Sequence, residues 1–288
     1  MAELVGAREG LLGRSSAPLG VFDSGLGGLT VVRALRRELP HENIVYLGDT
    51  ARVPYGTKGP DTVVKYALGC AKHLVGRGVK AIVIACNTVS AVAPERLRIE
   101  LDLPVLSVIE PGARAAVSAT RNHKIGVLAT LGTVSSGAYV RAVSTLSTRA
   151  ETTAQAAPLF VPLAEEGWTT GDVPRLAAER YLEPLARAGV DVVVLGCTHY
   201  PILRDVIEEA ALRLIGPHAR VVDSAHATAE DTARFLAERK LARIPSSPDA
   251  SDARGTIRLL VTDLPRSFSA QASRFLGEDV GDVECIDL

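Results

Sequence analysis

The 288-residue chain is short of several things that would have pointed elsewhere. No apolar run approaches the ~18–20 residues of a membrane span. The opening "MAELVGAREGLLGRSSAPLG" has neither the cationic start nor the continuous apolar core of a secretory signal, so the cytoplasm is the expected compartment. There is no charge excess: 32 basic and 33 acidic residues give a net charge of -1, which leaves no electrostatic footprint for nucleic acid or an anionic membrane. Cysteine is scarce, at four residues, and no two of them form a C-x₂₋₄-C pair. Zinc would have Cys86, Cys197 and His199 but no evident fourth ligand, and a redox pair would lack its C-x-x-C arrangement. The glycines of "GLGG" (Gly25, Gly27, Gly28) are too crowded for the G-x-G-x-x-G of a dinucleotide loop.

What remains is an ordinary globular composition, 47% hydrophobic and 23% charged, of a length that suits one large or two modest domains. Short apolar runs alternate with helical spacing. "LGVFD" (19–23), "NIVYLGD" (43–49) and "VKAIVIAC" (79–86) read as strands. "LTVVRALRREL" (29–39), roughly 61–77 and "VAPERLRIEL" read as helices. That alternation predicts parallel sheets with crossover helices. A breaker-rich stretch (244–255) precedes a further strand at 256–263.

The chain also repeats itself. "RGVKAIVIACNT" (77–88) and "AGVDVVVLGCTH" (188–199) share Gly-Val, an aliphatic strand and a cysteine, with Gly78/Gly189, Val79/Val190 and Cys86/Cys197 each 111 residues apart. Ahead of each lies a second echo, "LGVFDSGLGG" (19–28) and "IGVLATLGTV" (125–134). The expected fold is therefore α/β: two similar doubly wound domains related by pseudo-symmetry, with a cleft between them at the carboxyl ends of the strands. The boundaries expected are a flexible extension at 1–18, a first domain at 19–115 plus 226–288, and a second at 116–225.

A lone cysteine at a strand end is most often a small buried hydrophobe; Cys70 and Cys285 are read that way. Two at matching repeat positions are another matter. Each sits between a strand end and a helix start, where unpaired N–H groups and the helix dipole favour thiolate. The same N–H groups attract carboxylates. Two thiols facing each other across a small amino acid could take a proton from one face of its α-carbon and return one to the other, which is what inversion of a stereocentre without a cofactor requires.

"VFDSGLGGLTVVRALRRELP", "YLGDTARVPYGTKG", "VIACNTVSA", "PLFVPLAEEGW" and "VLGCTHYPIL" together resemble the glutamate racemases of the cofactor-independent amino-acid racemase superfamily, over residues 19 to about 236. The resemblance implies interconversion of L- and D-glutamate, with no cofactor and no metal, D-glutamate then feeding peptidoglycan synthesis. It implies that Cys197 deprotonates L-glutamate and Cys86 D-glutamate, with Asp23 assisting Cys86, His199 assisting Cys197, and Glu165 as a third polar helper beside Glu166. It further implies substrate contacts from Asp23, Ser24, Pro54, Tyr55, Gly56, Asn87, Thr88, Thr133, Thr198 and His199. A homodimer is implied as well. Some relatives restrain DNA gyrase; without a basic stripe, such a contact here would be with the gyrase protein rather than DNA. Val89 departs from relatives that carry a smaller residue after "CNT", and is expected to narrow the pocket or alter its packing. The neighbouring readings are an aspartate racemase, in which a carboxylate tends to stand where this chain has His199, and an inactive dicarboxylate-binding protein.

Overall fold

The computed structural model describes residues 15–245, 247 and 254–288. Most of the N-terminal extension and part of the 244–255 stretch therefore lie outside the described residues. Ten strands form two sheets, and every pairing is parallel. The first sheet takes β1 (Leu19–Asp23), β2 (Ile44–Gly48), β3 (Ala81–Ile84), β4 (Val105–Ser107), β9 (Ile257–Val261) and β10 (Val283–Cys285). The second takes β5 (Lys124–Ala129), β6 (Glu151–Ala156), β7 (Val192–Gly196) and β8 (Arg220–Asp223). Strand order is β10-β9-β2-β1-β3-β4 in one and β6-β5-β7-β8 in the other, so β2-β1-β3-β4 of the first sheet repeats the order of the second.

The strand sequences explain the layering. β1, β2, β3 and β7 are buried along their whole length, as strands covered by helices on both faces must be. Leu19 and Val21 point to one side of the first sheet and Phe22 to the other, so the two faces build separate cores. The core behind Leu19 and Val21 continues without a break into Phe160 and Leu195 of the second lobe. The helix Ser224–Glu238 packs against both Leu29–Glu38 and Ile109–Ala119 along the seam.

The internal repeat is present at the level of single contacts. Gly78 and Gly189 end equivalent helix–strand turns with the same left-handed backbone, φ +72° in each, a conformation that glycine adopts without steric cost. Gly20 faces Leu74 and Val79; Gly126 faces Leu185 and Val190, the same pair 111 positions on. A Cβ at Gly126 would come within 2.9 Å of Leu185, and one at Gly20 would press on Val79 at 3.1 Å.

Where elements were expected, their ends shift by a residue or two; several others were not anticipated, two of them instructive. β6 is a half-buried edge strand of sequence ETTAQA, too polar to register as a hydrophobic run. The helix Ala138–Leu146 follows a left-handed Gly137 that separates it from the short helix Leu131–Ser136.

One buried ion pair ties the chain's distant segments together. Lys80 Nζ lies 2.5 Å from Glu42 Oε2, and both side chains are nearly inaccessible. The ammonium also donates to the carbonyls of Ser15 and Leu241, at 2.8 Å each, while the other Glu42 oxygen accepts from the Arg243 amide. Removing one partner strands the other charge in the interior. Lys80→Met is expected to lower stability by about 3–5 kcal/mol, read as a shift of the urea midpoint. A loss below 1 kcal/mol would show that the pair is not isolated from solvent.

Candidate active site

Strands β1, β3, β5 and β7 all end at the seam, and the loops leaving them enclose a cavity of about 250 Å³. Two larger clefts nearby, about 470 and 500 Å³, contain neither cysteine. The small cavity contains both Cys86 and Cys197. Ser24, Pro54, Tyr55, Gly56, Asn87, Thr88, Thr198, His199 and Glu165 also line it.

Two of the expected contact residues stand one layer back. Asp23 is fully buried beneath the loop; its Oδ1 accepts from the Gly25 amide at 2.8 Å and its Oδ2 from the Thr198 hydroxyl at 3.4 Å. Thr133 is held 3.0 Å from the Thr130 hydroxyl, and it is Thr130 that reaches the cavity. Val89 does not narrow the pocket: it is fully buried in the first lobe's core and absent from the lining.

The two lobes meet loop against loop. A Cβ placed on Gly27 would come within 2.3 Å of Thr198 Oγ1 and 2.4 Å of His199 Nδ1. The crowded "GLGG" is thus a surface against which the second lobe's cysteine loop rests. Thr30 reinforces the contact by donating from Oγ1 to the carbonyls of both Gly27 and Thr198, 2.9 Å each. Across the seam, Thr88 and Thr130 share a hydrogen bond of 3.0 Å. Asn87 accepts from the Tyr139 hydroxyl at 2.7 Å and donates to Ser224 at 3.4 Å. The Tyr55 hydroxyl donates to the buried Asp49 carboxylate, which also takes the Thr262 hydroxyl at 2.8 Å.

The surroundings of the two thiols differ. Cys86 donates to Ser24 Oγ at 3.5 Å. Burial, and then the nearby Asp23 carboxylate, push its pKa up to about 12 against weaker lowering by the Val89 amide and Ser24. This overturns the expectation that a helix dipole would favour thiolate there. The helix that follows has only four residues, Asn87–Ser90, too few peptide dipoles to offset desolvation. Asp23 is itself shifted upward by burial, against opposing effects of His199, the Gly25 and Gly28 amides and Thr198.

Cys197 has a different partner. Its sulfur lies 3.9 Å from His199 Nδ1, and His199 Nε2 lies 2.9 Å from Glu165 Oε1. Burial alone would disfavour the imidazolium, but Cys197 and Glu165 outweigh it and lift the His199 pKa to about 10. Of the two adjacent glutamates, then, Glu165 is the one on the cavity. The arrangement can stabilise negative charge on one sulfur while the other keeps its proton.

Sequence reasoning passed over Thr130 and the apolar wall of Pro158, Val161 and Pro162. Thr130 carried a signal: the echo of "LGVFDSGLGG" in "IGVLATLGTV" sets it opposite Ser24. The wall carried none, since apolar residues in a helical pattern read as core.

Parallel-stranded lobes that share a four-strand order, with two thiols on one cavity at their seam, are consistent with an isomerase built from two repeated α/β halves. The comparisons with known proteins carry this further. The family model for Asp/Glu/Hydantoin racemase matches residues 29–232. A glutamate racemase of Geobacter metallireducens is 48% identical over 270 residues, covering 94% of this chain and 96% of its own. The crystal structure of glutamate racemase from Francisella tularensis in complex with D-glutamate superposes with a TM-score of 0.84 at 35% identity, covering 95% and 98% of the two chains. That from Thermus thermophilus in complex with beta-chloro-D-alanine gives 0.83 at 44%, with the same coverage. The chain belongs to the Asp/Glu/hydantoin racemase family.

The His199 titration follows from this geometry. Its folded-state value lies above the ordinary ~6.5 of histidine, so the stabilisation it supplies is complete below that pH and fades as pH rises through about 10. Glu165→Gln removes one of the two groups that hold the proton. The His199 ring resonance, assigned by its loss in His199→Asn, is expected to titrate at lower pH in Glu165→Gln than in the parent protein. An unchanged midpoint would uncouple the carboxylate from the ring.

Proposed function

We propose that the protein interconverts L- and D-glutamate by proton transfer between two thiols and the substrate α-carbon. The observation that carries the reading is the pair of repeat-related cysteines, Cys86 and Cys197, on one small cavity between equivalent strand ends. In the L-to-D direction the Cys197 sulfur takes the α-proton. The Cα–H bond breaks, an S–H bond forms, and the electron pair is delocalised into the α-carboxylate. Cys86 then gives up its thiol proton to the opposite face, closing the inverted Cα–H bond. The D-to-L direction exchanges the roles. Two acid/base groups held in place on opposite faces supply what a single base cannot: removal from one side and return from the other.

The environments fit these roles. His199, held by Glu165, balances the negative charge on Cys197 when it acts as base. Cys86, kept protonated by burial and by Asp23, is the acid of the same half-reaction, with Asp23 assisting it as base in reverse. Ser24, Asn87, Thr88, Thr130 and Thr198, with the loop Pro54–Tyr55–Gly56, offer hydroxyls, amides and backbone groups to the substrate. These neutral donors suit a site that must hold both enantiomers. Asp23 and Thr133 act from behind the lining.

Around this chemistry we place a cytoplasmic supply of D-glutamate for peptidoglycan, a homodimeric assembly, and domains at 19–115 plus 226–288 and at 116–225. The tail assignment is supported by β9 and β10, which extend the first sheet. Among the described residues no helix is long and apolar enough to cross a membrane. Any contact with gyrase would be protein to protein, given a net charge of -1.

Incubation with L-glutamate in D₂O, without added pyridoxal phosphate, is expected to yield D-glutamate carrying one α-deuterium. Cys86→Ser and Cys197→Ser should each lower turnover by about 10²–10⁴-fold. Reaction with L-aspartate and none with glutamate would assign a different substrate. Near-parent turnover in either serine variant would end the two-thiol reading.

A further inference from the structure

The Cys197 side of the site leans on a part of the chain that belongs to the other lobe. The helix Phe268–Leu276 packs against Leu29–Glu38 of the first lobe, with Phe268, Ala272, Phe275 and Leu276 buried. From its last turn two consecutive residues cross the seam. The Phe275 ring meets the His199 imidazole nearly edge-on, centroids 5.1 Å apart at 76°. Arg274 Nη1 donates to the carbonyl of Glu165 at 2.5 Å and, more weakly, to that of Ala164 at 3.4 Å. These carbonyls end the short helix Phe160–Glu166, whose chain then turns through left-handed Gly167. Arg274 fills the space there: a Cβ on Gly167 would come 2.6 Å from its guanidinium carbon.

We infer that Arg274 and Phe275 are positioning residues for the acid/base group at Cys197. The guanidinium caps the Glu165 carbonyl at the helix end, and in doing so sets where the Glu165 carboxylate begins. The aromatic edge restricts the plane of the His199 ring, since aromatic pairs favour such tilted contacts. Between them they fix both ends of the hydrogen bond that His199 Nε2 donates to Glu165, and so the distance from His199 Nδ1 to the Cys197 sulfur. No comparable buttress is required on the Cys86 side, where Ser24 comes from the adjacent loop.

This rests on Cys197 being the base toward L-glutamate, and it predicts an asymmetry that rates alone cannot reveal. Enantiomers are equal in energy, so kcat/KM must be the same in both directions for any variant. Isotope effects are not so constrained. If Arg274→Gln or Phe275→Leu misplaces His199, proton transfer at Cys197 becomes the slower of the two transfers. kcat/KM is expected to fall about ten- to hundredfold. The isotope effect with α-deuterated L-glutamate, where Cys197 removes the deuteron, should rise above that of the parent. With α-deuterated D-glutamate, where Cys86 removes it, the effect should fall. Arg274→Lys, which keeps a donor near the carbonyls, should recover part of both.

A general loss of folded protein would lower turnover without moving either isotope effect. Arg274 is exposed, so its variants should fold even if Phe275→Leu does not. Unchanged isotope effects in folded Arg274→Gln would overturn the proposal. Failure of the parent protein to exchange the α-proton in D₂O would overturn the two-thiol reading beneath it, and the two failures are distinct.

Discussion

The site exists because two loops from different lobes can touch. At Gly27 the backbone of the first lobe comes so near Thr198 and His199 that no side chain could be accommodated. Every other interlobe contact around the cavity is compatible with that approach: Thr30 on the Thr198 carbonyl, Thr198 on Asp23, Thr88 on Thr130. The cost of closing the cleft is met by hydrogen bonds to buried polar groups that would otherwise be unsatisfied. The burial of His199 strengthens its electrostatic pairing with its neighbours.

The scaffold is close to symmetric and its chemistry is not. The repeat sets Ser24 opposite Thr130, Cys86 opposite Cys197, Asn87 opposite Thr198 and Thr88 opposite His199. Where the first lobe has Asp23, the second has Ala129; where the second has His199, the first has Thr88. One thiol is therefore neighboured by a carboxylate and the other by an imidazole. Similar backbones deliver both sulfurs to the cavity, and the residues that differ between the halves give each sulfur its own surroundings. A gene duplication would supply such a frame, with divergence confined to a few positions next to the cysteines.

Much of this was legible in the residues. The aliphatic strands and the 111-residue offset predict two parallel-sheet lobes, and the strand order repeats accordingly. The two cysteines were identifiable from the repeat, whereas Ser24, Tyr55, Thr198 and His199 came from the family resemblance. Thr133 shows the limit: spacing locates a hydroxyl on a loop but cannot tell whether it or its neighbour Thr130 faces the cavity. The protonation of Cys86 was misjudged from the sequence because a helix start is visible there while the depth of burial is not. The edge strand Glu151–Ala156 was missed for a related reason, since one exposed face dilutes its apolar signal. Arg274 and Phe275 lie some seventy-five residues beyond His199, and only the folded chain brings them to it.

The order of strands in the first sheet has a consequence for how the protein is made. β1 to β4 leave the ribosome early, the whole second sheet follows, and only then come β9 and β10, which take the edge beside β2. Until that late segment emerges, β2 keeps one side without its partner strand, and His199 lacks the ring of Phe275. The segment that carries β9, the helix Phe268–Leu276 and β10 thus completes both the sheet and the surroundings of the site. A nascent chain halted before that segment would hold both cysteines and still lack the finished cleft.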